Sequence, residues 1–139
     1  HSQCINCLAE LSDGTLASGS ADHSIRLWDV DTHTCQATLR GHTGYVLCLA
    51  QLSSGVLASG SGTNDLSIKL WDVKNGGCQA VLQGHSHWVR CLVELSSGLL
   101  ASGSFDRSIK LWDVGAQTCQ ATLHVRSLLF CLVQLSSGV

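Results

Sequence analysis

Eight cysteines stand in a chain of 139 residues, enough thiols for a disulfide framework or a zinc site, so their spacing decides which chemistry is open to them. Cys7, Cys48, Cys91 and Cys131 follow one another at intervals of 41, 43 and 40 residues, and Cys35, Cys78 and Cys119 at 43 and 41. Residues that return with a structural period point the same way from successive units, too far apart to bond. They read as buried free thiols that act as small apolar side chains, and free thiols imply a reducing compartment, intracellular and cytoplasmic. Only Cys4 breaks the rhythm. With Cys7 it forms a CxxC, which without a second pair in register is not a zinc ligand set. No metal or cofactor is expected.

The period belongs to the whole chain. The stretch from Gly84 to Asp113, GHSHWVRCLVELSSGLLASGSFDRSIKLWD, has a counterpart in Gly41 to Asp72, GHTGYVLCLAQLSSGVLASGSGTNDLSIKLWD, and another in His1 to Asp29, HSQCINCLAELSDGTLASGSADHSIRLWD. Trp28, Trp71 and Trp112 lie 43 and 41 residues apart. Such a period excludes the shorter helical repeats. With GH near the start of a copy and WD near its end, the chain resembles the WD-repeat β-propeller family over essentially its full length.

That resemblance implies an all-β fold, about three four-stranded antiparallel blades plus the first strand of a fourth. The repeats are placed at about 1–40, 41–83 and 84–124, with an incomplete one at 125–139. A propeller closes with roughly four to eight blades, so this is an open part of a larger propeller or of an oligomeric ring; the lack of an initiator Met and the final LSSGV support a segment. Within the first copy, turn residues divide the chain into strands at Cys4 to Leu11, Thr15 to Ser20, Ser24 to Asp29 and Thr34 to Arg40. In the third, Ile25 and Leu27 share one face, Arg26 and Trp28 the other, which suits a sheet covered on both sides. The second copy carries Gly62-Thr63-Asn64 in place of Ala21, lengthening one loop. The tail, ATLHVRSLLFCLVQL, lacks GH: Val125 stands at the expected place, and whether His124 takes the missing role is open.

The family resemblance also implies a hydrogen-bonded tetrad in each complete blade: His1, Ser18, Asp22 and Trp28; His42, Ser59, Asp65 and Trp71; His85, Ser102, Asp106 and Trp112. A buried indole N–H needs an acceptor, and a buried imidazole needs both nitrogens placed. Ser, His and Asp together suggest a hydrolase, but catalysis requires one exposed nucleophile beside an oxyanion hole. A trio recurring three times in register with a Trp reads as structure, and no catalytic residue is assigned.

Composition agrees with a packed β-domain: 45% hydrophobic residues, 13% charged, 14 Gly and no Pro. The net charge of −2 and eight scattered Lys or Arg give no basic stripe for a phosphate backbone, so nucleic acid is not an expected partner. No apolar run approaches the ~18 residues of a spanning helix, so no membrane is expected. Function is sought where the copies differ. Three residues after the His the copies carry Cys4, Tyr45 and Trp88, and five after it Asn6, Leu47 and Arg90. Before the loop Asp stand Ala21, Asn64 and Phe105, and the tail adds Leu128 and Phe130. Family resemblance puts these positions on the face where loops gather about the central channel. Tyr, Trp, Arg and Phe dominate binding hot spots, so Tyr45, Leu47, Asn64, Trp88, Arg90, Phe105, Leu128 and Phe130 are candidate partner-binding residues; Trp88 and Phe105 would equally suit covering the channel mouth. The favoured function is a non-enzymatic protein-protein interaction scaffold, part of a multiprotein complex, for peptide or protein partners. The alternative is a structural assembly element whose blades complete a ring with other copies, including an engineered or recently amplified repeat.

Overall fold

The computed structural model describes residues 1–132. Short alternating segments broken by Gly, Ser and Asp turns give twelve strands in chain order: β1 Ile5–Glu10, β2 Leu16–Ser20, β3 Ser24–Asp29, β4 Thr34–Arg40, β5 Val46–Gln51, β6 Leu57–Ser61, β7 Ile68–Asp72, β8 Gly77–Leu82, β9 Val89–Glu94, β10 Leu100–Ser104, β11 Ser108–Asp113 and β12 Thr118–His124. They pair antiparallel in three four-stranded sheets, β1 to β4, β5 to β8 and β9 to β12, each in chain order. The first strand is a residue shorter at each end than its alternation suggests, because Leu11 N–H closes a turn on the Thr15 carbonyl (2.8 Å) and the Cys4 carbonyl takes the Ala21 N–H (2.9 Å). The β1–β2 turn ends on Gly14, whose φ of 86° favours glycine.

The sheets stand beside one another with β1 against β5 and β5 against β9, an open arc of three propeller blades. Two cores lie between them. Trp71 of the second sheet packs with Ile25, Leu27 and Leu39 of the first, and Trp112 of the third packs with Ile68, Leu70 and Leu82 of the second. Both indoles are almost fully buried, at 1% and 2% exposure, whereas Trp28 is half-buried because no described sheet covers its face. The glycines of the first two LASGS segments sit where sheets close: a Cβ on Gly60 would lie 2.5 Å from Cys48 Sγ and 2.7 Å from Val89 Cγ1, and one on Gly19 2.5 Å from Val46 Cγ1. Across the same junctions Ser12 N–H donates to Gln51 Oε1 and Ser53 N–H to Glu94 Oε2, both at 2.7 Å.

The cysteines divide by strand, and the expectation of general burial needs correction. Cys48 and Cys91 are buried and Cys7 is half-buried on the inner strands, but Cys35, Cys78 and Cys119 are exposed, as are Cys4 and Cys131; all eight are free. The cause is position. β4, β8 and β12 are the outermost strands, and one side of each meets solvent. Burial pushes the Cys7 thiol up to about 12 and the Cys91 thiol to about 11, so the inner thiols stay protonated and inert.

Beyond β12, residues 125–132 form no strand. Val125 N–H donates to the Arg107 carbonyl at 2.9 Å, and Leu132 reaches the Gly103 position, where an added Cβ would meet its Cδ1 at 3.2 Å. The rest of the expected fourth first strand, 133–139, lies outside the described residues. Among the described residues there is no helix.

Strand direction sorts charge between the two ends of the arc. The ends of β1 and β3, of their counterparts β5, β7, β9 and β11, and the turns that follow carry Glu10, Asp13, Asp29, Asp31, Asp72, Glu94 and Asp113 against the single cation Lys74. The opposite end, where the loops gather, carries Arg40, Arg90, Arg107 and Arg126, with only Asp22, Asp65 and Asp106 among the acids.

Candidate functional site

The structure brings each tetrad together within its sheet, linking the Asp of the loop end to the Trp near the far end of the third strand. In the second sheet Trp71 Nε1–H donates to Ser59 Oγ at 2.8 Å, Ser59 Oγ lies 2.7 Å from His42 Nε2, and His42 Nδ1 lies 2.6 Å from Asp65 Oδ2. The third sheet repeats the chain through Trp112, Ser102, His85 and Asp106 at 2.8, 2.6 and 2.7 Å. In the first, Trp28 and His1 each lie 2.7 Å from Ser18 Oγ, and His1 Nδ1 is 3.0 Å from Asp22 Oδ2. Indole only donates, so the serine oxygen accepts from it, the serine hydroxyl donates to Nε2, and Nδ1–H donates to the carboxylate. Ser59 and Ser102 are fully buried and Ser18 is 1% exposed. Buried oxygens engaged in this way hold a loop against a sheet.

Sequence reasoning missed a fifth member. Ser24, Ser67 and Ser108 hydroxyls donate to Oδ1 of Asp22, Asp65 and Asp106, and the same aspartates accept the Ser2, Thr43 and Ser86 amides at 2.9, 3.0 and 3.1 Å. The signal was an Asp-x-Ser in every copy. Its middle residue, His23, Leu66 or Arg107, turns the chain with a positive φ of 67°, 54° or 66°.

These donors outweigh desolvation. Burial would raise the Asp106 carboxyl, but the Ser108 hydroxyl, the His85 ring and the Ser86 amide together hold it at about 2. Half-buried Asp22, whose desolvation is outweighed by the Ser24 hydroxyl and the Ser2 amide, also stands at about 2, and Asp65, between His42 and Ser67, lies lower still. Burial depresses His85 below its ordinary 6.5, with Asp106 offsetting part of the effect. Both kinds of shift act in one direction: the unfolded chain binds these protons more readily than the folded one, so acid favours unfolding. Urea midpoints should therefore decline as pH falls below about 6.5, where unfolded His85 takes up its proton, and again below about 4 as the carboxylates titrate. A midpoint that rises between pH 7 and pH 3 would contradict this.

The variable positions gather at the same end, with one exception. Leu47 is only 6% exposed, because the longer second loop lies on it: a Cβ on Gly62 would come 2.7 Å from Leu47 Cδ1. This residue supports the loop and is not part of a contact surface. Tyr45, Asn64, Leu128 and Phe130 are exposed, while Trp88, Arg90 and Phe105 are half-buried. Trp88 lies over Gly62 and stacks on Phe105, centroids 5.9 Å apart and planes at 17°. Phe130 meets the Phe105 ring edge to face at 4.9 Å, and the Arg90 guanidinium stands 5.7 Å from its centroid. His87, which sequence reasoning passed over although it precedes Trp88, joins both rings at 5.9 and 5.8 Å. Tyr45 stands apart, beside His23 at 5.9 Å.

Comparisons with known proteins agree with this geometry. The family model described as WD domain, G-beta repeat matches residues 1–29, 33–72 and 76–113. Ribosome assembly protein 4 of Chaetomium thermophilum is 51% identical over 37 residues, 27% of this chain and 7% of its own. The probable E3 ubiquitin ligase complex SCF subunit sconB of Emericella nidulans is 43% identical over 47 residues, 33% of this chain and 7% of its own. The solved structure of U3-55K superposes with a TM-score of 0.81 at 30% identity, covering 89% of this chain and 40% of that one. The chain thus spans well under half the length of the proteins it matches. With three four-stranded sheets, a Trp–Ser–His–Asp chain in each and a family model matching the three complete copies, this chain belongs to the WD-domain, G-beta repeat family of β-propellers.

Proposed function

We propose that the chain is part of a non-enzymatic interaction scaffold whose loop end captures a peptide or protein partner inside the cell. One observation carries this reading: Trp88, Phe105 and Phe130 form a contiguous ring cluster at that end, with Phe130 62% exposed. Large rings held by a rigid sheet contact a partner at little cost in side-chain entropy, and such residues carry most of an interface's energy. Two similar proteins are described by assemblies, a ribosome assembly protein and an SCF complex subunit, which favours the same class of role. The repeats are taken as 1–40, 41–83, 84–124 and an incomplete 125–139.

The test compares partner capture with stability. Phe105→Ala and Trp88→Ala should weaken binding to a partner identified by capture and reassembled from purified components by about 2 kcal/mol. The thermal midpoints should stay near the parent's. Loss of folding in both variants would make these rings cover for the channel mouth instead.

A second reading rests on Trp28. Its half-buried face is the equivalent of those by which Trp71 and Trp112 dock onto a preceding sheet, so a further blade, from the same protein or another copy, would complete it. Sedimentation mass separates the two readings, a stable monomer counting against assembly from several copies.

A further inference from the structure

We infer that the loop end of the third sheet takes an acidic peptide segment, with Arg90, Arg107 and Arg126 receiving its carboxylates and the Trp88, Phe105 and Phe130 rings its apolar side chains. This rests on the loop end being a binding surface and adds the chemistry of what binds.

The arc is electrically divided: seven carboxylates and one lysine occupy the turn end, four arginines and three aspartates the loop end. None of those three aspartates lies at ion-pair distance from a described arginine. Each accepts from its own histidine, a serine hydroxyl and a backbone amide, which engages both its oxygens within the fold. Among the described residues the ion pairs are the three His–Asp contacts, so no described carboxylate lies at ion-pair distance from Arg90. Its Nε is buried with no hydrogen-bond partner among the described residues, while its guanidinium lies over the Phe105 ring. Arginine presents a planar fork that matches a carboxylate, and it is enriched where that match occurs in partly dehydrated surroundings.

Exposed Arg107 and Arg126 stand at the same loop end, their segments joined by the hydrogen bond from Val125 N–H to the Arg107 carbonyl. A segment alternating acidic and apolar residues would satisfy both the rings and the arginines; a basic one would be repelled. The three arginines of the third sheet stand beside an aromatic cluster, and with four arginines against three aspartates the loop end carries little excess positive charge, which favours a short acidic peptide over a phosphate backbone.

The experiment pans a random-peptide display library against the whole chain. Enriched peptides should carry net negative charge together with an aromatic or large aliphatic residue. A synthetic representative should bind Arg90→Gln at least about tenfold more weakly and lose affinity as salt is raised. Asp13→Asn at the opposite end should leave binding unchanged. If Arg90→Gln fails to fold by circular dichroism, the double variant Arg107→Gln/Arg126→Gln, whose side chains are exposed, carries the comparison. Enrichment of neutral or basic peptides that still require Trp88 overturns the acidic preference while the binding surface stands. Peptides that bind Trp88→Ala equally well, or no enrichment over a blank support, overturn both. Displacement of the peptide by polyuridylate at comparable affinity would assign the arginines to nucleic acid and overturn the inference.

Discussion

Asp65→Ala and Asp106→Ala are each expected to lower stability by about 3 kcal/mol, which at this chain length lowers the thermal midpoint by about 10 °C. Asp65 receives the His42 Nδ1–H, the Thr43 amide and the Ser67 hydroxyl. Removing the carboxylate leaves the His42 donor without an acceptor in a site where the histidine is 6% exposed. An unmatched buried donor loses its hydration without recovering a bond, and the loss spreads when several donors share one acceptor. With Nδ1–H unpaired, nothing holds the tautomer that lets Nε2 accept from Ser59, and the Trp71 link weakens as well. Asp22→Ala should cost less, because its tetrad ends on half-buried Trp28 and water can replace part of what is lost. Differential scanning calorimetry of the three variants checks the order. Unchanged midpoints in both Asp65→Ala and Asp106→Ala would show that the tetrads do not hold the sheets.

Gly60→Ala should also destabilise by about 3 kcal/mol, the upper part of the range for overpacking a tight core. The new methyl would need the space of Cys48 Sγ at 2.5 Å and Val89 Cγ1 at 2.7 Å. Neither can retreat freely: Cys48 is 7% exposed and Val89 fully buried, and both lie in the core between the second and third sheets. The strain therefore falls on the packing of one blade against the next. Gly77→Ala is the control, since a Cβ there meets nothing within 4 Å. Cys48→Ala in the Gly60→Ala background should recover about 1 kcal/mol by vacating half of the collision. Urea denaturation of the two single variants and the double supplies the coupling. If Gly60→Ala unfolds at the parent's midpoint, the close approach of the sheets is not what requires glycine there.

Much of the fold was legible because the chain repeats. Trp28, Trp71 and Trp112 stand at the same step of successive copies, and so do the LASGS segments, so local alternation read once could be read three times. The missing serine of the tetrads, in Asp22-His23-Ser24 and its two equivalents, was visible in the same way. It was overlooked because an Asp-x-Ser is commonplace until its middle residue is seen to take a positive φ. The two errors were of one kind. Cys35 and its equivalents were placed inside, and Leu47 outside, on the strength of position within a repeat. Burial depends on what the neighbouring unit puts against a residue: the outermost strands have a side that meets solvent, and the longer second loop covers Leu47 through Gly62.

By itself, then, the sequence determined the strands, their order within each sheet and which residues stand at equivalent places, since these follow from alternation and turn chemistry over a few residues. Only the tertiary structure decided that Trp71 and Trp112 are covered while Trp28 is not, that Phe130 closes on Phe105, and that arginines scattered along the chain collect at one end with seven carboxylates at the other. Antiparallel strands bring residues distant in sequence to a common end, and no local pattern records which side chains the adjacent sheet will present there.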